Sequence, residues 1–262
     1  MRTYSGRGHL NLGGEESPDE NARLASGVPG LDALMGGGFS KGRIVLVLGE
    51  PGTGKTIFCS QFLHGGAVNR GEKGIFIGMN EPKVKFLGEM KALGMDLTAL
   101  EKDGKFSYVD ASDVKHIPEQ AKVGRIPVGG RELGLVNLLD TIQEAVDKTK
   151  PDRIAIDSIS DLIFRYPALE DRRPVILDIV ETLQATGATC LMTSELLSTS
   201  QDRTLQPEEY LAEGVVILKM LRKGTRTIQV LKLRGSKMDT KPRPYLIGDN
   251  GIEVLSSEEV YE

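Results

Sequence analysis

The residues most suited to chemistry lie together in a glycine-rich segment at positions 49–56. The segment matches the pattern G-x-x-x-x-G-K-[ST] and reads Gly49-Glu50-Pro51-Gly52-Thr53-Gly54-Lys55-Thr56. Glycines allow the backbone to wrap closely, so that successive N–H groups point at phosphate oxygens. Lys55 supplies a positive charge for the β- and γ-phosphates, and the Thr56 hydroxyl is suited to Mg²⁺. The segment therefore predicts a site for a nucleoside triphosphate.

The surroundings of this segment distinguish it from a chance glycine-rich turn. The apolar, β-branched run IVLVL (44–48) precedes it, and IFCSQFLHGG (57–66) follows as the start of a helix. A helix N-terminus adds its dipole to an anion-binding site. Because the segment lies between a buried strand and a helix, we interpret residues 49–56 as a phosphate-binding loop, or P-loop.

A carboxylate near the magnesium ion is expected at the end of another buried strand. The run RIAID (153–157) is typical of such a strand and ends in Asp157. An aspartate that merely caps a turn at the end of a strand is the alternative. Because the P-loop is present, we favour the metal role and predict Thr56 and Asp157 as magnesium ligands.

Hydrolysis also needs a group that orients or deprotonates water. Glu81 is the acid that follows the predicted strand GIFIGM (74–79), and in an open α/β sheet that end of the strand faces the ligand crevice. The alternative is that Asn80 or Glu81 caps the helix that starts at Pro82. The spacing alone leaves these two interpretations even.

Two cations near the C-terminus share one face of a predicted strand. Lys232 and Arg234 alternate with Leu231 and Leu233, and on this pattern alone a solvated face is the more common explanation. The histidines are widely spaced and have no partner at metal-ligand spacing, so they indicate no metal cluster: His9, His64 and His116.

The elements that must position these residues alternate between strands and helices. The predicted helices cover 82–94, 132–148 and 173–187, and the predicted strands cover 44–48, 74–79, 106–110, 153–157 and 188–193, with a Gly/Pro-rich loop after 110. Hairpins follow residue 213, with strands at 214–220, 227–233, 244–247 and 252–255 and turns at Lys223-Gly224 and Asn250-Gly251. We therefore expect an α/β fold: a mostly parallel central sheet flanked by helices, with C-terminal antiparallel hairpins.

The composition is that of an ordinary globular protein of 262 residues with a net charge of −4, so we do not expect it to be drawn as a whole onto nucleic acid or membrane. Cys59 and Cys190 lie in apolar runs and are interpreted as reduced and buried, which favours the cytoplasm. We expect neither a membrane span nor a secretory signal.

The expected organisation is a flexible polar tail over 1–25, one domain over 26–256 and an acidic tail over 257–262.

Residues 25–256 resemble the KaiC-like branch of the RecA/RadA ATPase superfamily. The opening LASGVPGLDALMGGGFSKGRIVLVLGEPGTGKT (24–56) resembles that of the family, and RIAIDSIS (153–160) resembles its Walker B strand. TGATCLMTSE, EEYLAEGVVIL and VLKLRGSKMDTKPRPYLIGDNGIEV are similar to its C-terminal half. The last stretch is the most discriminating, because generic P-loop proteins lack it.

The resemblance implies a RecA-like P-loop NTPase core that binds ATP and Mg²⁺. It also implies a homo-oligomeric ring, typically a hexamer, with ATP at the subunit interfaces and a regulatory or signalling role. In the family the K-L-R-G segment reaches the neighbouring subunit's nucleotide, so Lys232 and Arg234 become catalytic cations supplied in trans, with Ser236 near the same nucleotide. Such a residue can be worth roughly 10³–10⁵ in rate. The sequence does not identify a protein partner.

Three differences from the family pattern affect this expectation. The chain has one P-loop, whereas the clock members carry two such domains in tandem. Asn80-Glu81 replaces a frequent Glu-Glu pair, so that one carboxylate is missing and slow turnover is expected. Lys237 and Met238 alter the segment that contacts the neighbour's nucleotide.

Three other interpretations stay open. A nucleotide-gated scaffold with little hydrolysis is favoured by Asn80 and the polar tails. A RadA-like, DNA-dependent recombination or repair ATPase needs basic loops, but the small basic cluster of this chain is interrupted by acids: Arg165, Arg172 and Arg173, with Glu170 and Asp171. Autophosphorylation, as in the clock branch, would use a hydroxyl-rich loop of a common kind, at Ser198, Thr199 and Ser200.

Overall fold

A computed structural model describes residues 22–112, 120–123, 126–164, 166, 169–198, 203–221 and 224–260. In chain order the elements are β1 (Arg23–Leu24), α1 (Leu31–Leu34), β2 (Phe39–Ser40), β3 (Ile44–Gly49), α2 (Lys55–Arg70), β4 (Gly74–Gly78), α3 (Lys83–Ala92), α4 (Leu97–Lys102), β5 (Phe106–Asp110), β6 (Gln120–Val123), β7 (Ile126–Gly129), α5 (Gly130–Thr149), β8 (Arg153–Asp157), α6 (Ser160–Ile163), α7 (Leu169–Ala185), β9 (Thr189–Glu195), α8 (Pro207–Leu211), β10 (Gly214–Met220), β11 (Arg226–Leu233), β12 (Arg243–Gly248) and β13 (Gly251–Val254).

The central sheet has nine strands in the order β13-β12-β11-β10-β3-β9-β8-β4-β5. The strands from β10 to β5 are parallel, and β11, β12 and β13 continue the sheet as antiparallel neighbours. The expected fold class, a mostly parallel sheet flanked by helices with C-terminal antiparallel hairpins, is confirmed. Because β3 lies in the middle, the loop that follows it opens beside the carboxyl ends of its parallel neighbours.

Strand β3 is buried on both faces because helices cover both sides of the sheet. Its alternate side chains enter two separate cores. Val45 and Val47 pack in the core that contains Phe58 and Phe62 of α2. The other apolar side chains of β3 pack in the core that contains residues of α5 and α7: Ile44, Leu46 and Leu48. This arrangement explains why the run IVLVL is apolar without interruption.

Three local predictions differ from the structure. Helix α7 begins at Leu169 instead of residue 173, so that Pro174 lies inside the helix. The sequence is misleading at this point, because a proline usually lies in the first turn of a helix. Helix α5 extends the predicted 132–148 at both ends. Within the stretch expected to be a loop, β6 and β7 pair antiparallel. This pairing satisfies backbone N–H and C=O groups of both segments.

The described parts of both predicted tails contact the folded body. Arg23–Leu24 form β1, which pairs with β2, and the Leu24 side chain is buried. At the other end, Arg243 donates a hydrogen bond to the Glu258 carbonyl at 2.9 Å, and Lys241 forms an ion pair of 2.6 Å with Glu259. The rest of the predicted tails, 1–21 and 261–262, lies outside the described residues.

A buried arginine connects the start of β8 with α2 and the N-terminal segment. The Arg153 side chain is almost fully buried, and its Nε donates to the Glu72 carboxylate at 2.5 Å. Its Nη1 donates to the carbonyls of Ala25 and Phe62, both at 2.8 Å, and the guanidinium lies 4.5 Å from the centre of the Phe62 ring. Several elements therefore depend on one buried charge.

We predict that Arg153→Ala lowers the free energy of unfolding by about 3 kcal/mol, because it leaves Glu72 and two carbonyls without their buried partner. Urea denaturation measures the effect. The control is Lys150→Ala, which removes the exposed ion pair with Asp147 and leaves the midpoint unchanged. Equal midpoints for both variants would contradict the role of Arg153.

Candidate functional site

The P-loop connects the buried end of β3 with the first turn of α2. Gly52 and Gly54 have φ angles of 78° and 92°, a left-handed conformation that glycine adopts without steric cost. The Lys55 ammonium donates to the carbonyls of Gly49 at 2.7 Å and Glu50 at 3.2 Å. The lysine therefore lies across its own loop, at the place where phosphate oxygens are expected.

Residues inside and outside the P-loop fix its shape. The Thr53 hydroxyl donates to the Glu50 carbonyl at 2.7 Å, and the Glu50 carboxylate accepts a hydrogen bond from the Met220 amide at 3.0 Å. The Tyr245 hydroxyl of β12 donates to the Thr53 carbonyl. A Cβ at Gly54 would lie 3.0 Å from Ile247 Cδ1. The C-terminal hairpin thus packs directly against the loop.

The Asp157 carboxylate lies beside the P-loop. Its Oδ2 accepts a hydrogen bond from the Thr56 hydroxyl at 2.5 Å, and its Oδ1 accepts one from the Thr193 hydroxyl at 2.6 Å. The structure therefore brings the two predicted magnesium ligands together. A carboxylate with a neighbouring hydroxyl suits Mg²⁺, which prefers oxygen ligands and usually keeps several waters. Within the described residues no group of three or more His, Cys, Asp or Glu side chains forms a metal cluster.

A polar cleft of about 340 Å³ opens in front of these groups. Its lining includes Lys55, Thr56, Glu81, Asp157 and Glu195. A second cleft of about 300 Å³ adjoins it, shares Lys55, Thr56 and Glu81, and is otherwise lined by Gly52, Gly54, Ile57, Glu89, Met90, Leu93 and Ile247. The charged groups of the site thus converge on one cleft, and an apolar surface lies next to it.

Glu81 lies in the cleft, but its carboxylate is ion-paired. Lys85 approaches Glu81 Oε1 at 2.7 Å and Glu89 at 3.4 Å, and the Glu81 carbonyl accepts a hydrogen bond from the Tyr108 hydroxyl. The N-cap of α3 is Pro82, which makes no side-chain capping hydrogen bond, so neither Asn80 nor Glu81 occupies the N-cap position. Glu81 is therefore in the predicted place, although Lys85 competes for its charge.

The sequence reasoning missed Glu195, an acid at the end of β9. Glu195 is in register with Gly49 on the neighbouring strand, and it lines the same cleft as Lys55. Burial lowers the pKa of the Lys55 ammonium, whereas the Asp157 and Glu195 carboxylates act to raise it. The signal that could have found Glu195 is the one that found Asp157, namely an acid where a buried parallel strand ends.

The cations predicted to act in trans lie toward the opposite end of the sheet from the P-loop. Lys232 pairs with Val215 near the start of β10, whereas Gly49 pairs with Leu218 further along that strand. The Lys232 ammonium donates to three carbonyls at the end of α8: Glu209 at 3.1 Å, Tyr210 at 3.4 Å and Ala212 at 2.6 Å. The structure therefore holds Lys232 against its own chain.

The other residues of this segment are arranged differently. Arg234 is exposed, and its backbone amide donates to the Glu213 carbonyl at 2.9 Å. The Ser236 hydroxyl lies 3.4 Å from that of Ser40. Within the single chain, the structure does not bring Lys232, Arg234 or Ser236 to the P-loop.

The residues considered for DNA binding and autophosphorylation form no comparable site in the described chain. Arg172 turns toward its own subunit, where Nε donates to the Tyr166 carbonyl at 2.7 Å. Ser198 is exposed. Several of the residues considered lie outside the described part: Arg165, Thr199 and Ser200. None of the described helices has the length and apolar character needed to cross a membrane.

Comparison with known proteins identifies a family for this arrangement. The sequence model of the family described as "ATPase: KaiC" matches residues 24–259. A UPF0273 protein of Thermotoga maritima is 32% identical over 240 residues, which cover 90% of this chain and 97% of that protein. The circadian clock oscillator protein KaiC of Synechococcus elongatus is 33% identical over 249 residues, or 91% of this chain.

The clock proteins are longer than the region they share with this chain. The chain spans about half the length of the curated clock proteins that it matches, 47% of one and 46% of another. A crystal structure of a KaiC-like protein from the hyperthermophilic archaeon Pyrococcus horikoshii matches with a TM-score of 0.74 and 32% identity. That match covers 89% of this chain and 98% of the other.

The two cysteines are fully buried on opposite faces of the sheet, and burial determines how they titrate. Burial, and then the Asp157 carboxylate, raise the pKa of Cys59 well above its ordinary value of 9.0. Burial raises the pKa of Cys190 to about 12. The folded protein therefore keeps both thiols protonated at a pH where the unfolded chain loses those protons.

We predict that the two buried, protonated thiols contribute to the free energy of unfolding. This contribution is fully present below pH 9.0 and decreases as the pH rises above it. Urea denaturation at about pH 8 and about pH 10.5 measures the decrease. The double variant Cys59→Ala, Cys190→Ala should show a shallower decrease. Equal decreases in the two proteins would contradict the prediction.

Proposed function

Because the chain belongs to the KaiC family of ATPases, we propose that it binds MgATP in the cleft beside the P-loop and hydrolyses it slowly. The observation that carries the proposal is the convergence of Lys55, Thr56 and Asp157 on one cleft. We further propose a cytoplasmic homo-oligomeric ring, with a hexamer as its stoichiometry and a regulatory role. ATP would then lie between neighbouring subunits.

Each group of the cleft has a definite task in this proposal. The P-loop amides and Lys55 hold the β- and γ-phosphates. Thr56 and Asp157 would hold Mg²⁺, which when bound neutralises phosphate charge. The adjoining apolar cleft accommodates the nucleoside, with Ile57 and Leu93 among its lining residues. Glu81 orients the attacking water.

The slow rate follows from the surroundings of Glu81. The Glu81 carboxylate is held in an ion pair with Lys85 at 2.7 Å, so it must give up this partner before it can orient the attacking water. Asn80 provides no second carboxylate. These two features also support a second candidate function, a nucleotide-gated scaffold that binds ATP with little hydrolysis.

The topology supports a contribution from Arg234 to a neighbouring subunit. Strand β3 has six residues, so that its two ends are about 17 Å apart at about 3.3 Å per residue. The segment with Arg234 lies near one end and the P-loop at the other. An exposed arginine so placed reaches a nucleotide only in another copy of the chain. Lys232 and Ser236 accompany it at that interface.

The two roles assigned within the cleft are separable. We predict that Lys55→Ala weakens binding of a fluorescent ATP analogue at least about tenfold, because a charge-assisted hydrogen bond is worth about 1.5–3 kcal/mol. Glu81→Gln should keep the affinity but lower phosphate release at least about tenfold. Lys91→Ala, which removes an exposed ion pair with Asp96, is the control and should match wild type.

The predictions for Lys55→Ala and Glu81→Gln can be contradicted independently of each other. Wild-type affinity in Lys55→Ala would refute the nucleotide site itself. If wild type releases no more phosphate than Lys55→Ala, although it binds ATP, the scaffold function is favoured over hydrolysis. Unchanged phosphate release in Glu81→Gln would remove Glu81 from the mechanism and leave the binding site intact.

Supply of Arg234 in trans can be tested by mixing subunits. We predict that Arg234→Ala lowers phosphate release at least about tenfold, whereas Arg173→Ala, an exposed arginine of α7, has no effect. A mixture of Arg234→Ala and Lys55→Ala subunits should regain activity, because some interfaces then combine an intact P-loop with an intact arginine. Light scattering with and without MgATP measures assembly. A mixture no more active than its components would contradict the trans arrangement.

A further inference from the structure

Tyr108 belongs to an aromatic cluster that β4, β5 and α3 form beside the nucleotide cleft. Its ring stacks on that of Phe76 on the neighbouring strand, with 5.6 Å between the ring centres and 13° between the planes. The Phe86 ring of α3 lies 5.1 Å from the Tyr108 ring. Tyr108 is only 8% exposed, yet it lines the cleft together with Lys55. The cluster therefore fixes a tyrosine ring at the wall of the site.

The Tyr108 side chain extends over Gly78 at the end of β4. Gly78 lies two residues after Phe76, so both positions are on the same face of the strand. A Cβ at Gly78 would lie 2.0 Å from the Tyr108 hydroxyl oxygen and 2.6 Å from the ring carbon that carries it. Because no side chain fits there, the glycine is what allows the hydroxyl to pass beyond the strand.

The Tyr108 hydroxyl ends at the backbone of Glu81, where it donates a hydrogen bond to the carbonyl. Burial, and then the Asp110 carboxylate, raise the pKa of Tyr108 above its ordinary value of 10.0. The hydroxyl therefore keeps its proton near neutral pH and remains a donor. A buried tyrosine hydroxyl usually has such a partner, and here the partner belongs to the acid assigned to the attacking water.

The loop that carries Glu81 is also fixed on either side of this hydrogen bond. Before it, the Met79 amide donates to the Asp157 carbonyl at 2.9 Å, which connects the loop to the backbone of the predicted magnesium ligand. After it, Pro82 restricts the conformation of Glu81, since a residue before proline favours an extended backbone. Together with Tyr108, these contacts give the Glu81 backbone a definite place relative to Asp157.

The Glu81 carboxylate is held less firmly than its backbone. Its partner Lys85 lies at 2.7 Å, but the Lys85 side chain is 67% exposed. An exposed ion pair contributes little to stability, because water and salt screen it. The carboxylate can therefore leave Lys85 while the backbone that carries it stays in place.

We propose that Tyr108 is a positioning residue for Glu81. By holding the Glu81 carbonyl, its hydroxyl fixes the point from which the carboxylate moves away from Lys85 and toward the water at the terminal phosphate. Tyr108 acts through the backbone of Glu81 and transfers no proton itself. The inference rests on the proposed function, since it needs Glu81 to orient that water.

The first test removes the hydroxyl and keeps the ring. Tyr108→Phe should lower kcat for phosphate release about tenfold and leave KM within about twofold, because a displaced catalytic group mainly affects the transition state. In the Glu81→Gln background the same change should lower kcat by less than about twofold, since the group to be positioned is already gone. Thr141→Val is the control: it removes a hydroxyl that donates to the Asn137 carbonyl at 2.7 Å within α5, and it should match wild type.

Two unnatural residues at position 108 separate the hydrogen bond from the volume of the hydroxyl. Para-aminophenylalanine keeps a donor at the same place on the ring, whereas para-methylphenylalanine fills that space without a donor. The amino analogue should regain most of the kcat lost in Tyr108→Phe, and the methyl analogue should not. A residue that only fills space in the cluster would give the opposite order.

Several results would overturn the inference and leave the proposed function standing. They are wild-type kcat in Tyr108→Phe, a KM that rises about tenfold in that variant, a loss that multiplies fully with that of Glu81→Gln, or a wild-type rate with the methyl analogue. If Glu81→Gln itself releases phosphate as fast as wild type, the assignment of Glu81 in the proposed function fails first, and the inference fails with it. The two failures are therefore distinguishable.

Discussion

The site depends on a lysine that must stay charged where part of its water has been removed. Burial lowers the pKa of Lys55, whereas Asp157 and Glu195 act to raise it, so that the two acids favour the charged form that phosphates need. The lysine and both acids stand where parallel strands end, β3, β8 and β9. The order of strands in the sheet therefore matters for the charge of Lys55 as well as for packing, because it makes these three strands neighbours.

The antiparallel part of the sheet contributes to the site from outside the cleft. Tyr245 and Ile247 pack against the P-loop, and the Gln61 side chain of α2 bonds both backbone groups of Ile252, at 3.0 and 2.7 Å. A loop of three glycines has little intrinsic rigidity. The hairpin of β12 and β13 therefore restricts the loop by tertiary contacts, and it also connects the C-terminal strands to α2.

The sequence alone was sufficient to predict those features that a short segment of the chain determines by itself. The P-loop pattern and the apolar runs predicted the fold class and placed Thr56 beside Asp157, because both parallel strands must end at one edge of the sheet. It was insufficient for Thr193 and Glu195, whose roles arise only when β9 inserts between β3 and β8. The contacts of Lys232 depend on α8, some 20 residues earlier in the chain, which no local pattern relates to it.

The contrast between Lys232 and Arg234 follows from the cost of moving each side chain. Burial, and then the nearby Arg234, lower the pKa of Lys232, yet three carbonyls hold its ammonium. To reach a phosphate of a neighbouring copy, Lys232 would have to exchange those three carbonyls for phosphate oxygens. Arg234 is exposed and carries a planar group that can bind phosphate with two hydrogen bonds. In the proposed ring, Arg234 can therefore bind a neighbour's phosphate without rearrangement, whereas Lys232 must first leave its three carbonyls.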